Sequence, residues 1–164
     1  MNTLTTAVFE TVEIGGRSVK RSVPAKHGFA YPLVFVDESE NGVHSFRRVM
    51  LTLSSVGFEC YEVGGKDASA FLKNYGQRVI LVSLYARGIP LAETVRTNRN
   101  VRGYVCIYQT MTASEMAANH LEFIVLEIAD QCPSCPTRLI PSGSTDLLIL
   151  DWLKRRFPKE FLPD

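Results

Sequence analysis

The chain has 164 residues, of which 46% are hydrophobic, and its 18 basic and 17 acidic side chains leave a net charge of +1. This length predicts a single domain with a sizeable core, and the balanced charge argues against a global field for nucleic acid or membrane. Residues 1–10 lack the basic start and long apolar run of a signal peptide, and four cysteines are too few for a disulfide scaffold. We therefore expect a cytoplasmic protein with reduced thiols and no membrane contact.

Residues 8–23 carry the pattern of a β-hairpin. Apolar and polar side chains alternate over residues 8–14, and a similar segment follows Gly15 and Gly16. Two glycines between such segments suit the turn of a tight hairpin. The alternative is a flexible arm, because terminal segments are often poorly ordered. Residues 1–30 are thus predicted to form an N-terminal hairpin or arm.

From Pro32 onward, short apolar runs alternate with segments of helical pattern. The five predicted strands are residues 33–37, 58–63, 79–82, 104–108 and 123–128, and the predicted helices are residues 46–56, 68–74, 91–97, 112–119 and 146–156. Such alternation is typical of a parallel sheet with helices on both faces. We predict an α/β fold in three layers, with a five-stranded, mainly parallel sheet over residues 31–157 and a tail at residues 158–164.

The apolar positions of these elements predict the core, and Asp67 is expected to cap the helix at residues 68–74. The expected core residues are Leu33, Phe35, Phe46, Met50, Leu53, Phe71, Leu72, Ile80, Val82, Val105, Ile107, Ile124, Val125, Leu147, Leu150 and Leu153.

Two acidic residues, Asp37 and Glu38, close the first predicted strand, and the helix after them ends in Gly57 and Phe58. In these marks, and in the order and spacing of its elements, the chain from about residue 32 to residue 157 resembles the receiver domain of bacterial response regulators. The resemblance implies a flavodoxin-like sheet. It also implies that Asp37 and Glu38 match the acidic pair that holds Mg²⁺ in that family. The alternative is that these carboxylates only cap a helix or face water.

The phosphorylation residues of receivers are missing. The phosphoacceptor Asp of the family falls on Ser83, and neither Val82 nor Leu84 is acidic. The family's Lys would fall near Leu126 and Glu127, where the chain has no Lys. An aspartyl phosphate needs a carboxylate nucleophile and positive charge around the phosphoryl group. We therefore expect a degenerate pseudo-receiver that signals without phosphate control.

Receivers commonly bind partners through helix four, strand five and helix five, which correspond here to residues 112–119, 123–128 and 146–156. The last helix has a wider apolar arc than one sheet face requires. We therefore expect contact with a protein partner or a second copy, with Trp152 as the anchor. The alternative is that the hairpin covers this surface. The residues assigned to the partner face are Glu115, Leu148, Trp152 and Arg155.

Cys132 and Cys135 form a C-x-x-C pair in a proline-bearing loop. A structural zinc site would need two further ligands, and a redox pair would need a lowered thiol pKa. Zinc, redox and purely structural roles stay open for this pair. We expect no resident cofactor, and Zn²⁺ at the cysteines and Mg²⁺ at the acidic pair are the candidates.

The alternative function is a DNA-binding transcription regulator with a helix-turn-helix around residues 80–108. Residues 84–95 resemble its first half, and Arg96, Arg99 and Arg102 would then lie near the recognition helix. The sequence contains no serine or cysteine nucleophile in a recognised elbow and no phosphate-binding glycine loop. The chain is therefore expected not to be an enzyme.

Overall fold

The computed structural model describes residues 8–37, 46–84, 97–109, 122–128, 137–141 and 145–163. Within these ranges the strands are β1 (Val8–Ile14), β2 (Arg17–Val23), β3 (Leu33–Asp37), β4 (Cys60–Gly64), β5 (Val79–Leu84), β6 (Val101–Gln109), β7 (Glu122–Ile128) and β8 (Thr137–Pro141). The helices are α1 (Arg47–Ser55), α2 (Ala68–Tyr75) and α3 (Thr145–Arg156), and 3₁₀ turns occupy Gly65–Asp67 and Pro158–Glu160. None of the helices described here is long and apolar enough to cross a membrane.

All eight described strands form one sheet in the order β1-β2-β4-β3-β5-β6-β7-β8. The pairings β4–β3, β3–β5 and β5–β6 are parallel, and the other four are antiparallel. The α/β class is confirmed, but the prediction of a five-stranded, mainly parallel sheet is wrong. The hairpin adds two strands at one edge, and β7 runs against β6 and carries β8 beside it.

The N-terminal segment forms the predicted hairpin. Gly15 and Gly16 both have positive φ, +61° and +78°, as a two-residue type I′ turn requires. All seven residues of β1 pair with β2, and Lys20, Arg21 and Ser22 of β2 pair with β4. The hairpin is therefore an antiparallel extension of the parallel strands. The division of the chain into an arm, a domain and a tail stays a prediction.

Helices cover both faces of the sheet. On one face α1 and α3 bury Met50, Leu53 and Leu153, and on the other α2 buries Phe71 and Leu72. The predicted core residues on β3, β5 and β6 whose side chains are described are likewise buried, namely Leu33, Phe35, Ile80, Val82 and Val105, as is Phe46 before α1. The side chains of Ile107, Ile124 and Val125 lie outside the described part.

The start of α3 differs from the prediction. Leu147 is 64% exposed, whereas Ile149 is buried and Leu150 packs at the core margin. The apolar arc of this helix is too wide for one sheet face, so its periodicity does not fix which leucine points inward. The placement of Leu147 in the core is therefore wrong.

The backbones of Gly28 and Gly57 cross in close contact, and this contact joins the segment after the hairpin to the end of α1. The Gly28 N–H donates to the Gly57 carbonyl at 2.8 Å, and the Leu162 N–H donates to the Gly28 carbonyl at 2.9 Å. Phe29 and Phe161 form a β-bridge, and their ring centroids lie 4.9 Å apart. Residues after α3 are thus packed against the body of the domain.

Candidate functional site

The carboxyl end of the parallel strands is where a receiver would hold its acidic pocket. Asp37 ends β3, opposite Gly64 on one side and Leu84 on the other, and Ser83 pairs with Val36. The backbones of Asp37 and Ser83 are therefore neighbours on adjacent parallel strands. Glu38 and the side chains of Asp37 and Ser83 lie outside the described residues.

Glu62 of β4 supplies a carboxylate near this edge that the sequence analysis missed. One of its oxygens accepts a hydrogen bond of 2.8 Å from the Phe46 N–H at the start of α1. The first turn of α1 carries no acidic residue. A carboxylate from the sheet thus stabilises the positive end of the helix dipole. A Glu within a strand gives no local signal for such a role.

Asp67 was expected to cap α2, but its side chain makes no capping hydrogen bond. It forms an ion pair with Arg17 of the hairpin instead. Because both side chains are largely exposed, this pair adds little to stability and serves mainly to align hairpin and helix. The capping prediction for Asp67 is wrong.

A buried polar cluster joins β2, α1 and β4. The hydroxyls of Ser22 and Ser54 lie 2.6 Å apart, and the Ser54 hydroxyl also donates to the Phe58 carbonyl at 2.6 Å. Cys60 is fully buried beside them, and burial raises the pKa of its thiol to about 12. The thiol is therefore protonated at neutral pH, which leaves it unreactive as a nucleophile or metal ligand.

On the opposite face, the rings of Tyr61 and Tyr75 pack against each other with centroids 5.2 Å apart, and Tyr61 interacts electrostatically with Arg21. Burial raises the pKa of both tyrosines above the ordinary value. Arg21 is further paired with Glu10 of β1. Both phenols therefore stay protonated at physiological pH, and this network joins the hairpin to the sheet.

Of the predicted partner face, α3 is described with most of its side chains, residues 123–128 are described only as the backbone of β7, and residues 112–119 lie outside the described part. Trp152 is 3% exposed and packs edge-on against Phe157, with ring centroids 5.7 Å apart. It belongs to the core, and its expected role as a surface anchor is wrong because it lies on the inner side of the helix. Arg155 is exposed and pairs with Asp151 at 3.1 Å. Among the described side chains of this helix, Leu147 is the exposed large apolar one.

The remaining predicted site residues divide between described and undescribed parts of the chain. Arg99 lies in a turn and Arg102 in β6. Residues 85–96, which include Arg96, lie outside the described part, and the helix-turn-helix stays a prediction. Among the described residues no group of three or more His, Cys, Asp or Glu side chains is arranged to hold a metal ion. Outside the described residues lie Arg96, Glu115, Cys132 and Cys135, and also the side chain of Leu148.

Comparisons with known proteins leave the family open. No protein-family model and no curated protein matches the chain. A solved thioesterase domain from the curacin biosynthetic pathway is 13% identical, with a TM-score of 0.36 over 68% of this chain. The match spans about half, 51%, of that domain.

This match corrects one expectation. We expected that the chain is not an enzyme, and the solved structure it matches is an enzyme domain, so that expectation is withdrawn. At this TM-score and identity the likeness gives neither a reaction nor a catalytic residue for the chain.

Proposed function

We propose that the chain is a receiver-like regulatory module that acts by contact with another protein and takes no phosphate at Ser83. The order of its five central strands, β4-β3-β5-β6-β7, supports this proposal. Numbered along the chain from β3, it is the order 2-1-3-4-5 of flavodoxin-like sheets. The antiparallel direction of β7 is a departure from that layout.

The observation that carries the proposal is the register between β3 and β5. Asp37 and Ser83 end up on neighbouring strands, where a receiver has its acidic residues and its phosphoacceptor. A serine cannot form the acyl phosphate of an aspartate, and β5 contains no acidic residue. In this proposal Ser83 occupies the position of the phosphoacceptor but cannot be phosphorylated as an aspartate is.

Incubation with acetyl phosphate and Mg²⁺ is expected to leave the intact mass of the protein unchanged. The Ser83→Asp/Leu126→Lys double variant restores both the carboxylate beside the end of β3 and the positive charge two strands away, because Ser83 pairs with Cys106 and Cys106 with Leu126. It is expected to gain one hydroxylamine-labile phosphate in a measurable fraction of molecules. Mass spectrometry of both proteins in parallel measures this. A labile phosphate on the wild type contradicts the loss of chemistry, and a double variant that stays unmodified contradicts the receiver-like edge.

The described part of the partner face is the outer stripe of α3, formed by Leu147, Asp151 and Arg155. Leu147 is the apolar member of this stripe and is 64% exposed, with charged residues around it as at the rim of a protein contact surface. Contact with a partner would bury this leucine and leave the buried Trp152 untouched.

Leu147→Glu is expected to weaken the native complex at least tenfold, because it places a charge in the apolar part of the contact. Val56→Glu is the matched control, since Val56 is similarly exposed, at 57%, but lies at the end of α1. Both variants should melt within a few degrees of the wild type. Affinity purification with each variant as bait, followed by quantitative mass spectrometry, measures the loss. Equal recovery with Leu147→Glu and wild type places the contact elsewhere.

A further inference from the structure

The outer edge of β1 ends the described sheet, and no described strand pairs with it. In a hairpin with a two-residue turn, the pair that flanks the turn exchanges hydrogen bonds, and such pairs recur at every second residue. Ile14 and Arg17 flank the turn here. The backbone groups of Phe9, Thr11 and Glu13 therefore point outward, where they are available to another strand.

This edge lacks most of the features by which proteins usually block strand pairing. β1 contains no Pro and no Lys, and its pairing with β2 is continuous over seven residues without a bulge. Val8 at its start is 57% exposed. The two glutamates, Glu10 and Glu13, are the only charged side chains of the strand, so their positions decide which partner strand is tolerated.

We propose that β1 pairs antiparallel with β1 of a second copy of this chain, about a two-fold axis at Thr11. In this register Thr11 lies opposite Thr11, Phe9 opposite Glu13, and Val8 opposite Ile14. Residues with outward backbone groups then face each other, and all seven residues are paired. The register shifted by two in one direction puts Glu10 opposite Glu10, and like charges directly opposite are unfavourable.

Charge complementarity favours a second copy over an unrelated strand. Lys20 and Arg47 lie against the ring of Phe9, at 5.9 Å and 4.7 Å from its centroid. Because Phe9 and Glu13 share a face of the strand, Glu13 of one copy meets the aromatic ring and the cations of the other. Among the described residues Glu13 has no ion-pair partner within its own chain. In the two-fold dimer each of the two Glu13 side chains gains a cationic partner from the other copy.

The other glutamate is compatible with the same arrangement. Glu10 lies on the opposite face and is paired with Arg21, so its charge is largely neutralised before association. It faces the aliphatic Val12 of the second copy. A contact of one seven-residue strand is smaller than a permanent interface, so we expect a reversible dimer whose population depends on concentration. This inference uses the hairpin alone and does not depend on the receiver-like proposal.

Light scattering over a concentration series tests the pairing at its axis. Thr11 is exposed and pairs with Lys20 of β2, so a carboxylate there should leave folding intact. Thr11→Glu places two like charges opposite each other across the axis and is expected to raise the dimer dissociation constant at least tenfold. Thr11→Val keeps a β-branched side chain and should dimerise as the wild type does. A wild type that stays monomeric up to about 1 mM, the weak end of specific association, overturns the proposal. So does a Thr11→Glu variant that dimerises normally.

A mixing experiment tests the register. Glu13→Lys and Lys20→Glu each bring like charges together in a homodimer, so each variant alone is expected to be largely monomeric. Mixed in equal amounts they should form a heterodimer, because the altered residues then meet as an opposite pair. Native mass spectrometry separates the species. A mixture that stays monomeric, or single variants that associate as the wild type does, overturns the register. The control for nonspecific charge is an acidic peptide of unrelated sequence, which is expected to compete with neither contact when it is added to the dimer.

Discussion

Replacing Trp152 with Glu is expected to unfold the protein. The indole is 3% exposed between the sheet and Phe157, and a carboxylate in its place would be buried without a described partner. Removing a buried Trp costs about 3–5 kcal/mol, and burying an unpaired charge costs several more. This total is comparable with the whole stability of a domain of this size. Circular dichroism should show loss of cooperative melting, and a folded variant would contradict the burial of this residue.

Trp152→Phe is the matched control. The Trp152 Nε1–H is buried and has no hydrogen-bond acceptor among the described residues. Phe leaves a cavity but also removes this unsatisfied donor, and the two effects oppose each other. We expect a change within about 1.5 kcal/mol in the free energy of unfolding. A much larger loss for Trp152→Phe would mean that the indole N–H has an essential partner.

Gly57→Ala is expected to destabilise the protein by about 3 kcal/mol or more, because two penalties coincide at this glycine. Its φ is +108°, a conformation that residues with a side chain rarely adopt. A Cβ there would lie 2.8 Å from the Gly28 nitrogen and 2.9 Å from its Cα. Because both contacts are with backbone atoms, they are relieved only if the Gly28 and Gly57 segments move apart. Urea denaturation monitored by fluorescence measures the loss.

Gly76→Ala is the control that separates the backbone strain of a positive φ from the steric clash of an added Cβ. Gly76 ends α2 with φ +71°, but no atom lies within 4 Å of the Cβ that Ala would add. We expect a loss of about 1 kcal/mol, the cost of the left-handed conformation alone. If both alanine variants lose the same stability, the close approach of Gly28 and Gly57 contributes nothing.

The strands of the domain were predictable because the pattern of their side chains indicates them. The apolar runs ending at Asp37 and near Leu84 are too short and too β-branched for buried helices, and the alternation around Gly15 and Gly16 marks the hairpin. Right-handed connections limit the possible orders of these strands but do not fix one. The positions of the strands are local features, so one sequence is enough to read them.

The reversed strands were not predictable in the same way. Whether β7 runs parallel or antiparallel to β6 depends on the path of the connection, and its own residues fit either direction. The segment of β8 was assigned to a loop because prolines surround it, and Pro141 ends the strand. Proline is tolerated at a sheet edge, where one side of the backbone needs no partner.

The contacts of the candidate site join residues far apart in sequence. Glu62 reaches Phe46 across 16 positions, and Arg17 reaches Asp67 across 50. Neither carboxylate has a neighbour in sequence that signals its role, so periodicity and capping rules assign them to solvent or to the wrong helix. The resemblance implied that Asp37 and Ser83 lie on adjacent strands, and the register between β3 and β5 sets their offset.

The bridge between Phe29 and Phe161 has a consequence for the order of folding. The two rings share a cluster with Phe58, and the Ala30 N–H donates to the Glu160 carbonyl at 2.8 Å. Closing a loop of this length costs about 4 kcal/mol of chain entropy before any contact forms. On a ribosome the N-terminal ring must wait until nearly all of the described chain has emerged. We therefore expect the bridge between Phe29 and Phe161 to form last during folding and its amide protons to exchange first with solvent.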